Sequence, residues 1–317
     1  MRSAECARSI FLRCEPIGGK VTRGSTVRPF LLVAVFAAPL RAQTIDDGML
    51  LPRRVLGTGL FYAHDGWNRY WEGGVRRENG NIGTVTTQSV TWVMGYGVTD
   101  RLSVMTTGPY VWTHGSQGPL HGMSGLQDVT LAAKYQLVAT PFTDRGTLRA
   151  MVVGAAGIPA SNYVPDFLPL SIGLASRRFS GRFTLDFRAH EGWYLTGSTA
   201  YTWRTKVTLD RPAYYTNGQL YLSNEVAMPA VFDYTVSAGY QHGPLSIPVS
   251  LSQQRALGGG DIRRQDMPFV SNRMDWVKIE GLVLYRGVRL GVSRILSGRN
   301  VGQATTLTSG VFYAFHL

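Results

Sequence analysis

One pattern constrains this chain more than any other. Apolar and polar side chains alternate with a period of two, in long segments repeated along the sequence. Over 128–137, Val129, Leu131, Ala133, Tyr135 and Leu137 share one face, and Asp128, Thr130, Lys134 and Gln136 share the other. Over 182–189, Phe183, Leu185 and Phe187 oppose Arg182, Thr184, Asp186 and Arg188. Over 193–206, Trp193, Leu195, Tyr201 and Trp203 oppose Tyr194, Thr196, Ser198, Arg204 and Lys206. Over 232–241, Phe232, Tyr234, Val236, Ala238 and Tyr240 oppose Asp233, Thr235, Ser237 and Gln241. A soluble β-sandwich alternates too, but its strands usually run about 5–6 residues. These run roughly 10–15, and a tilted strand needs about 9–11 to cross a bilayer. The pattern predicts an all-β chain folded as a transmembrane antiparallel β-barrel.

The connections support this reading. Short turns fall near 97–100, 141–146, 190–192, 242–244 and 286–287, and longer loops near 65–82, 114–125, 159–170, 208–229, 258–272 and 298–304. Outer-membrane barrels combine short periplasmic turns with long outer loops. Five short turns and six long loops give about twelve strands, with both ends of the barrel chain in the periplasm. Splitting the stretches 168–189 and 218–227 would give fourteen. Tyr96, Tyr135, Phe187, Trp193, Tyr240, Tyr285 and Phe315 then form an outward aromatic girdle at the periplasmic interface, with Tyr110 and Trp112 at the opposite one. A register slip of one residue would turn each inward. The final strand alternates through Leu307, Val311, Tyr313, Phe315 and Leu317. It resembles the terminal signal read by the barrel-assembly machinery, although that signal usually ends in Phe.

Composition narrows the class further. Only 16% of residues are charged and 37 are Gly, whereas soluble domains carry about 25% charged residues. No apolar run beyond residue 42 approaches the ~20 residues of a membrane helix. Before it, Arg28 and the apolar run 30–38 read as the n- and h-regions of an export signal, with cleavage after Ala42. Residues 1–42 therefore form an N-terminal extension and cleavable signal, and 43–317 the barrel. The long basic stretch before Arg28 also allows a true start near Val21 or Val27. Both cysteines, Cys6 and Cys14, lie in this leader, which excludes disulfides and thiolate metal sites from the mature chain. Residues 1–42 hold 7 of the 32 basic and 2 of the 20 acidic residues, leaving 25 against 18, or net +7. These charges are scattered and accompany no recognition motif, so nucleic acid is not an expected partner.

Three segments carry a family resemblance: 95–104 (GYGVTDRLSV), 125–135 (GLQDVTLAAKY) and 195–204 (LTGSTAYTWR). They resemble the MetA-pathway-of-phenol-degradation family of outer-membrane transporters, and are similar in spirit to the fatty-acid-channel type of barrel. The resemblance implies passive passage of small apolar or aromatic molecules across a Gram-negative-type outer membrane, with lipid and the solute as partners and no cofactor. Asp128, Lys134, Arg149, Arg188 and Arg204 are expected to face the lumen, as are Lys206, Asp233, Lys278 and Glu280. They either pair to brace the wall or form a charged constriction. The loop 159–170 holds Tyr163, Phe167 and Leu168, an apolar cluster suited to capturing substrate at the outer mouth. Residues 49–52 could plug the periplasmic end. No phosphate loop, His-Glu-x-x-His motif or nucleophile elbow occurs, and His64, His114 and His121 read as interfacial residues rather than a lipid-modifying site.

The processing site is directly testable. N-terminal sequencing of protein from outer-membrane fractions is expected to begin at or near Gln43, and a mature form retaining Cys6 would refute the assignment.

Overall fold

The computed structural model describes residues 43–317 apart from 217, 265 and 266. The expected signal segment, with Cys6 and Cys14, lies outside them. Twelve long strands form the wall. In chain order they begin with β1 (Val55–Trp67), β2 (Val85–Thr99), β3 (Leu102–Gly115), β4 (Asp128–Pro141), β5 (Gly146–Pro159) and β6 (Arg178–Ala189). They continue with β7 (Trp193–Arg204), β8 (Val231–His242), β9 (Leu245–Ala256), β10 (Asp275–Tyr285), β11 (Val288–Arg299) and β12 (Thr305–His316). Each pairs antiparallel with its sequence neighbours, and β1 pairs with β12 from Val55↔His316 to Gly66↔Thr305. That last pairing closes the sheet and removes its edges.

The stretches whose splitting would give fourteen strands add no further strand to the wall. Residues 168–177 belong to an outer loop that leads into β6, and 219–221 and 225–226 form short pairings with 214–216 and 207–208 inside another. The five tight turns fall where the sequence places them. The two-residue turn Arg286–Gly287 has positive φ at both residues, 48° and 85°, the hairpin geometry that matches strand twist.

Alternation appears in the structure as two faces. Leu131 is 62% exposed, while its neighbour Ala132 is 3% exposed and faces the lumen. Leu60, Leu195, Val236, Leu251 and Leu290 are likewise exposed on the outer surface. In water this belt would be untenable; against lipid it is what a barrel requires. Its aromatic rims are present at both ends. Trp193 and Tyr240 lie 4.8 Å apart and Phe142 and Phe187 5.8 Å apart near the short turns. Tyr110, Trp112 and Tyr62 cluster at the other rim, as do Phe179 and Trp203.

The outer loops have a core of their own. Val207, Leu209, Tyr214, Val226, Met228 and Val270 are buried together, with Leu168 and Leu174 packed against them. Asn300, 2% exposed, ties three connections: its side-chain oxygen accepts from the amides of Gly73 at 2.8 Å and Ile262 at 3.0 Å, and its amide donates to Asp261 at 2.8 Å. The Arg299 guanidinium on the same Asp261 holds that carboxyl below its usual range.

The two faces are expected to respond differently to charge. Leu131→Arg should cost about 2–4 kcal/mol of barrel stability if it meets the bilayer midplane, whereas Thr235→Arg, on the solvated inner face, should cost clearly less. Equilibrium urea unfolding in lipid vesicles measures both, and equal losses would refute the face assignment.

Candidate functional site: the lumen and its plug

The lumen is not an open pore. The chain from Gln43 to Pro52 runs inside the barrel ahead of β1, and its organiser is Asp47. That carboxylate accepts from the Thr44 amide at 2.5 Å, the Thr44 hydroxyl at 3.0 Å and the Met49 amide at 2.9 Å, which folds the segment into a compact turn. The Gln43 side-chain amide closes the turn on the Met49 carbonyl at 3.0 Å.

Lys134, on the inner face of β4, fastens this turn to the wall. Fully buried, its ammonium donates to the carbonyls of Thr44 at 2.8 Å and Asp47 at 2.7 Å and to the Asp47 carboxylate at 2.8 Å. All three of its protons are thus used, which is what makes burial of the charge tolerable. Apolar contacts complete the seating. Ile45 packs against Met105, Ala132 and Val153, and Leu51 against Val55, Phe312 and Ala314. Two glycines make room. A side chain at Gly48 would collide with Asp186, and one at Gly97 with the Pro52 carbonyl. The plug expected from residues 49–52 is therefore longer, and its polar half carries the anchor.

Among the described residues, those of the plug border the following three cavities. The largest, about 530 Å³, opens beside the periplasmic turns between Met49–Pro52 and Arg149, Arg188, His190 and Tyr194. A second, about 120 Å³, lies between Thr44–Met49 and a wall that includes Arg188, Glu280 and Arg289. A central cavity of about 410 Å³ is bounded below by Gln43, Thr44, Ile45 and Leu51. One side of it is apolar, with Phe61, Val93, Met105 and Phe312; the other carries Arg178, Arg182, Arg204 and Asp233.

The expected lumen residues separate accordingly. Asp128, Lys134, Arg188 and Glu280 are inward and paired. Asp128 faces Arg178 at 3.8 Å, Arg188 holds the fully buried Asp186 at 2.7 Å, and Glu280 meets Arg289 at 3.3 Å. Arg149, Arg204 and Asp233 line the cavities. Lys278 lies opposite Ser252 on the inner face, with its ammonium over the Trp276 ring. Lys206 is a correction: β7 ends at Arg204, and Lys206 sits beyond it in the outer loop, 65% exposed and paired with Glu225 at 3.0 Å. Arg178 and Arg289 were not expected at the site. The alternation of Arg289, Gly291 and Ser293 against Val288, Leu290 and Val292 carries the signal for one; the start of β6 carries it for the other.

The capture loop also differs from expectation. Tyr163 is buried, 9% exposed, against Val111 and Ile172. Its hydroxyl donates to Asp128 at 2.6 Å and accepts from the Ala175 amide at 3.0 Å. Burial and the neighbouring carboxylate push its pKa well above the ordinary value, so it stays a protonated donor. Leu168 is packed into the loop core, and of the three only Phe167 is exposed. An apolar loop buries its side chains against neighbouring loops before it offers them to a solute. His114 and His121 are exposed at the outer end, and no group of three His, Cys, Asp or Glu among the described residues could hold a metal ion.

A family model and several solved outer-membrane proteins are similar to this chain. A family model described as "Putative MetA-pathway of phenol degradation" matches residues 73–260. The crystal structure of the COG4313 outer membrane channel from Pseudomonas putida F1 aligns with a TM-score of 0.67 at 16% identity, over 86% of this chain and 100% of that one. The NanC porin aligns at a TM-score of 0.42 and 9% identity, over 81% of this chain and 100% of its own. A monoaromatic hydrocarbon channel, CymD, aligns at 0.38 and 9%, over 84% and 89%. Among curated proteins, none matches significantly.

The Lys134 anchor generates a prediction. Lys134→Met strands the Asp47 carboxylate and two carbonyls, a penalty of about 3–5 kcal/mol. Release of the segment should raise single-channel conductance in planar bilayers and expose residues 43–52 to periplasmic-side protease. Unchanged conductance together with unchanged protection would show that the plug does not depend on this lysine.

Proposed function

The chain belongs to the MetA-pathway-of-phenol-degradation family, and from that premise we propose that it is a passive, non-enzymatic outer-membrane channel for small apolar or aromatic compounds. The observation that carries this reading is the central cavity: about 410 Å³, apolar on one side, and stopped on the periplasmic side by the chain's own plug. A wide aqueous pore would serve hydrophilic solutes; a barrel of twelve strands falls between the filled eight-stranded and the open sixteen-stranded cases. A solute meets Phe167 at the outer loops, passes to the central cavity, and leaves when the plug yields toward the vestibule beside Arg149 and His190. Outer-membrane lipid surrounds the wall, and the barrel-assembly machinery would read the terminal strand. Nothing in this route needs a cofactor.

Liposomes carrying the purified barrel test the proposal against a panel of neutral aromatics, aromatic acids, alkanes, fatty acids and sugars. Uptake of the aromatic and apolar members, faster when residues 43–51 are deleted and slower with Phe167→Ser, is expected; sugars should enter little. Uptake of sugars at the same rate as aromatics would overturn the solute class. Tyr163→Phe keeps the ring but loses the hydroxyl's bond to Asp128. It should loosen the outer loops by about 1–2 kcal/mol, read as increased protease sensitivity of 159–177.

A further inference from the structure

Two arginines stand directly opposite each other on the inner wall: Arg178 at the start of β6 and Arg204 at the end of β7. Like charges in directly opposed positions of an antiparallel pair repel. Neighbouring carboxylates offset it without contacting Arg204. Arg178 donates to the Thr130 hydroxyl at 3.0 Å and is 3.8 Å from Asp128, whose carboxylate already accepts the Tyr163 hydroxyl. Arg204 has no hydrogen-bond or ion-pair partner among the described residues; the carboxylate acting on it is Asp233, beside Arg182, which also acts on the plug's Asp46. Elsewhere in the lumen Lys134 is matched by Asp47, Arg188 by Asp186 and Arg289 by Glu280. The central cavity itself is lined by Arg178, Arg182, Arg204 and Arg289 and, among the described residues, by the one carboxylate of Asp233.

Across that cavity is the apolar surface of Phe61, Val93, Met105 and Phe312, with the Arg289 guanidinium 5.7 Å from the Phe61 ring centre. A group that completes this site needs a negative end for the arginines and an apolar body for the opposite wall. Guanidinium groups match the two oxygens of a carboxylate, and an inorganic anion would leave the apolar wall unused. Size agrees, because a cavity of about 150 Å³ already holds benzene and this one has about 410 Å³. We infer that Arg178 and Arg204 form a binding site for the carboxylate of a small aromatic acid, whose ring lies on Phe61, Val93, Met105 and Phe312. The inference rests on the channel reading and names its substrate class. It also accounts for the repelling pair, which an anion between the two guanidinium groups converts into a clamp.

Calorimetric titration of the full barrel in detergent tests it, with benzoate, benzyl alcohol and sulfate as probes. Benzoate is expected to bind, and benzyl alcohol and sulfate to bind at least roughly tenfold more weakly. Arg204→Gln should weaken benzoate roughly tenfold to hundredfold, leave benzyl alcohol unchanged, and give an unliganded unfolding midpoint equal to or above the wild type, because a repulsion has been removed. Arg204→Lys, which keeps the charge and the fold, should weaken benzoate to an intermediate degree. Benzoate binding no tighter than benzyl alcohol, or unchanged in Arg204→Gln and Arg204→Lys, would overturn the site. Sulfate binding as tightly as benzoate would overturn the aromatic-acid assignment. An unliganded Arg204→Gln barrel of lowered midpoint that still binds benzoate would make Arg204 a brace of the wall and overturn the inference. Benzoate binding without liposome uptake of any aromatic would retain the site and overturn the channel reading instead.

Discussion

Hydrocarbon offers no hydrogen bonds, so every backbone amide and carbonyl of a spanning segment must be satisfied within the protein. In this chain the requirement is met when β1 pairs with β12 across twelve residue pairs, Val55↔His316 to Gly66↔Thr305. Once that ladder is closed, much else is determined. Each strand presents alternate side chains to two incompatible solvents, which is why the polar set of β4 or β6 can exist only inside. The enclosed volume then has to reconcile several charged side chains with one another. Asp128, Asp186 and Glu280 each find an arginine on the inner wall, and the plug supplies Asp47 to Lys134.

The plug follows from the same constraint. A buried ammonium without acceptors is costly, and the inner face of β4 provides none for Lys134. The acceptors come instead from a segment that precedes the first strand, so the wall and the plug are stabilised by one interaction. This differs from a plug held by shape alone. Here apolar seating of Ile45 and Leu51 is joined to a three-bond contact at a single nitrogen.

The wall was legible in the sequence because alternation is a local property: Leu131 and Lys134 announce their faces from their immediate neighbours. Girdle residues such as Trp193 and Tyr240 were legible for the same reason. The plug was only glimpsed, through Leu51, because Thr44 and Asp47 form a short polar turn without periodicity, and the lysine that needs them lies 87 residues away from Asp47. Strand ends were the other weak point. One residue beyond the wall separates a lumen side chain from a loop side chain, which is why Lys206 was placed with Arg204, and why Arg178, at the uncertain start of β6, was missed. Tyr163 shows a different limit. Composition reveals that a loop is apolar, but not whether its side chains face a solute or, as here, the hydroxyl finds Asp128 and the ring finds Val111 and Ile172.

Motion in such a barrel has few places to occur. Opening the wall would unpair a ladder in lipid, so the strands stay at the high-stability end of local fluctuations. What can move is whatever the ladder does not include, namely the segment 43–52 and the outer loops. The loops are bound to one another through the Val207–Val270 core and the Asn300 hub. Residues 43–52 contribute no strand to the sheet, and their polar turn is fastened chiefly at Lys134. The energetically cheapest way to join the central cavity to the periplasmic vestibule is therefore to shift the plug, with the wall unchanged. In the proposed channel role, a solute that competes for the charges around the plug, or fills the cavity above Ile45, would act on the element whose displacement releases it.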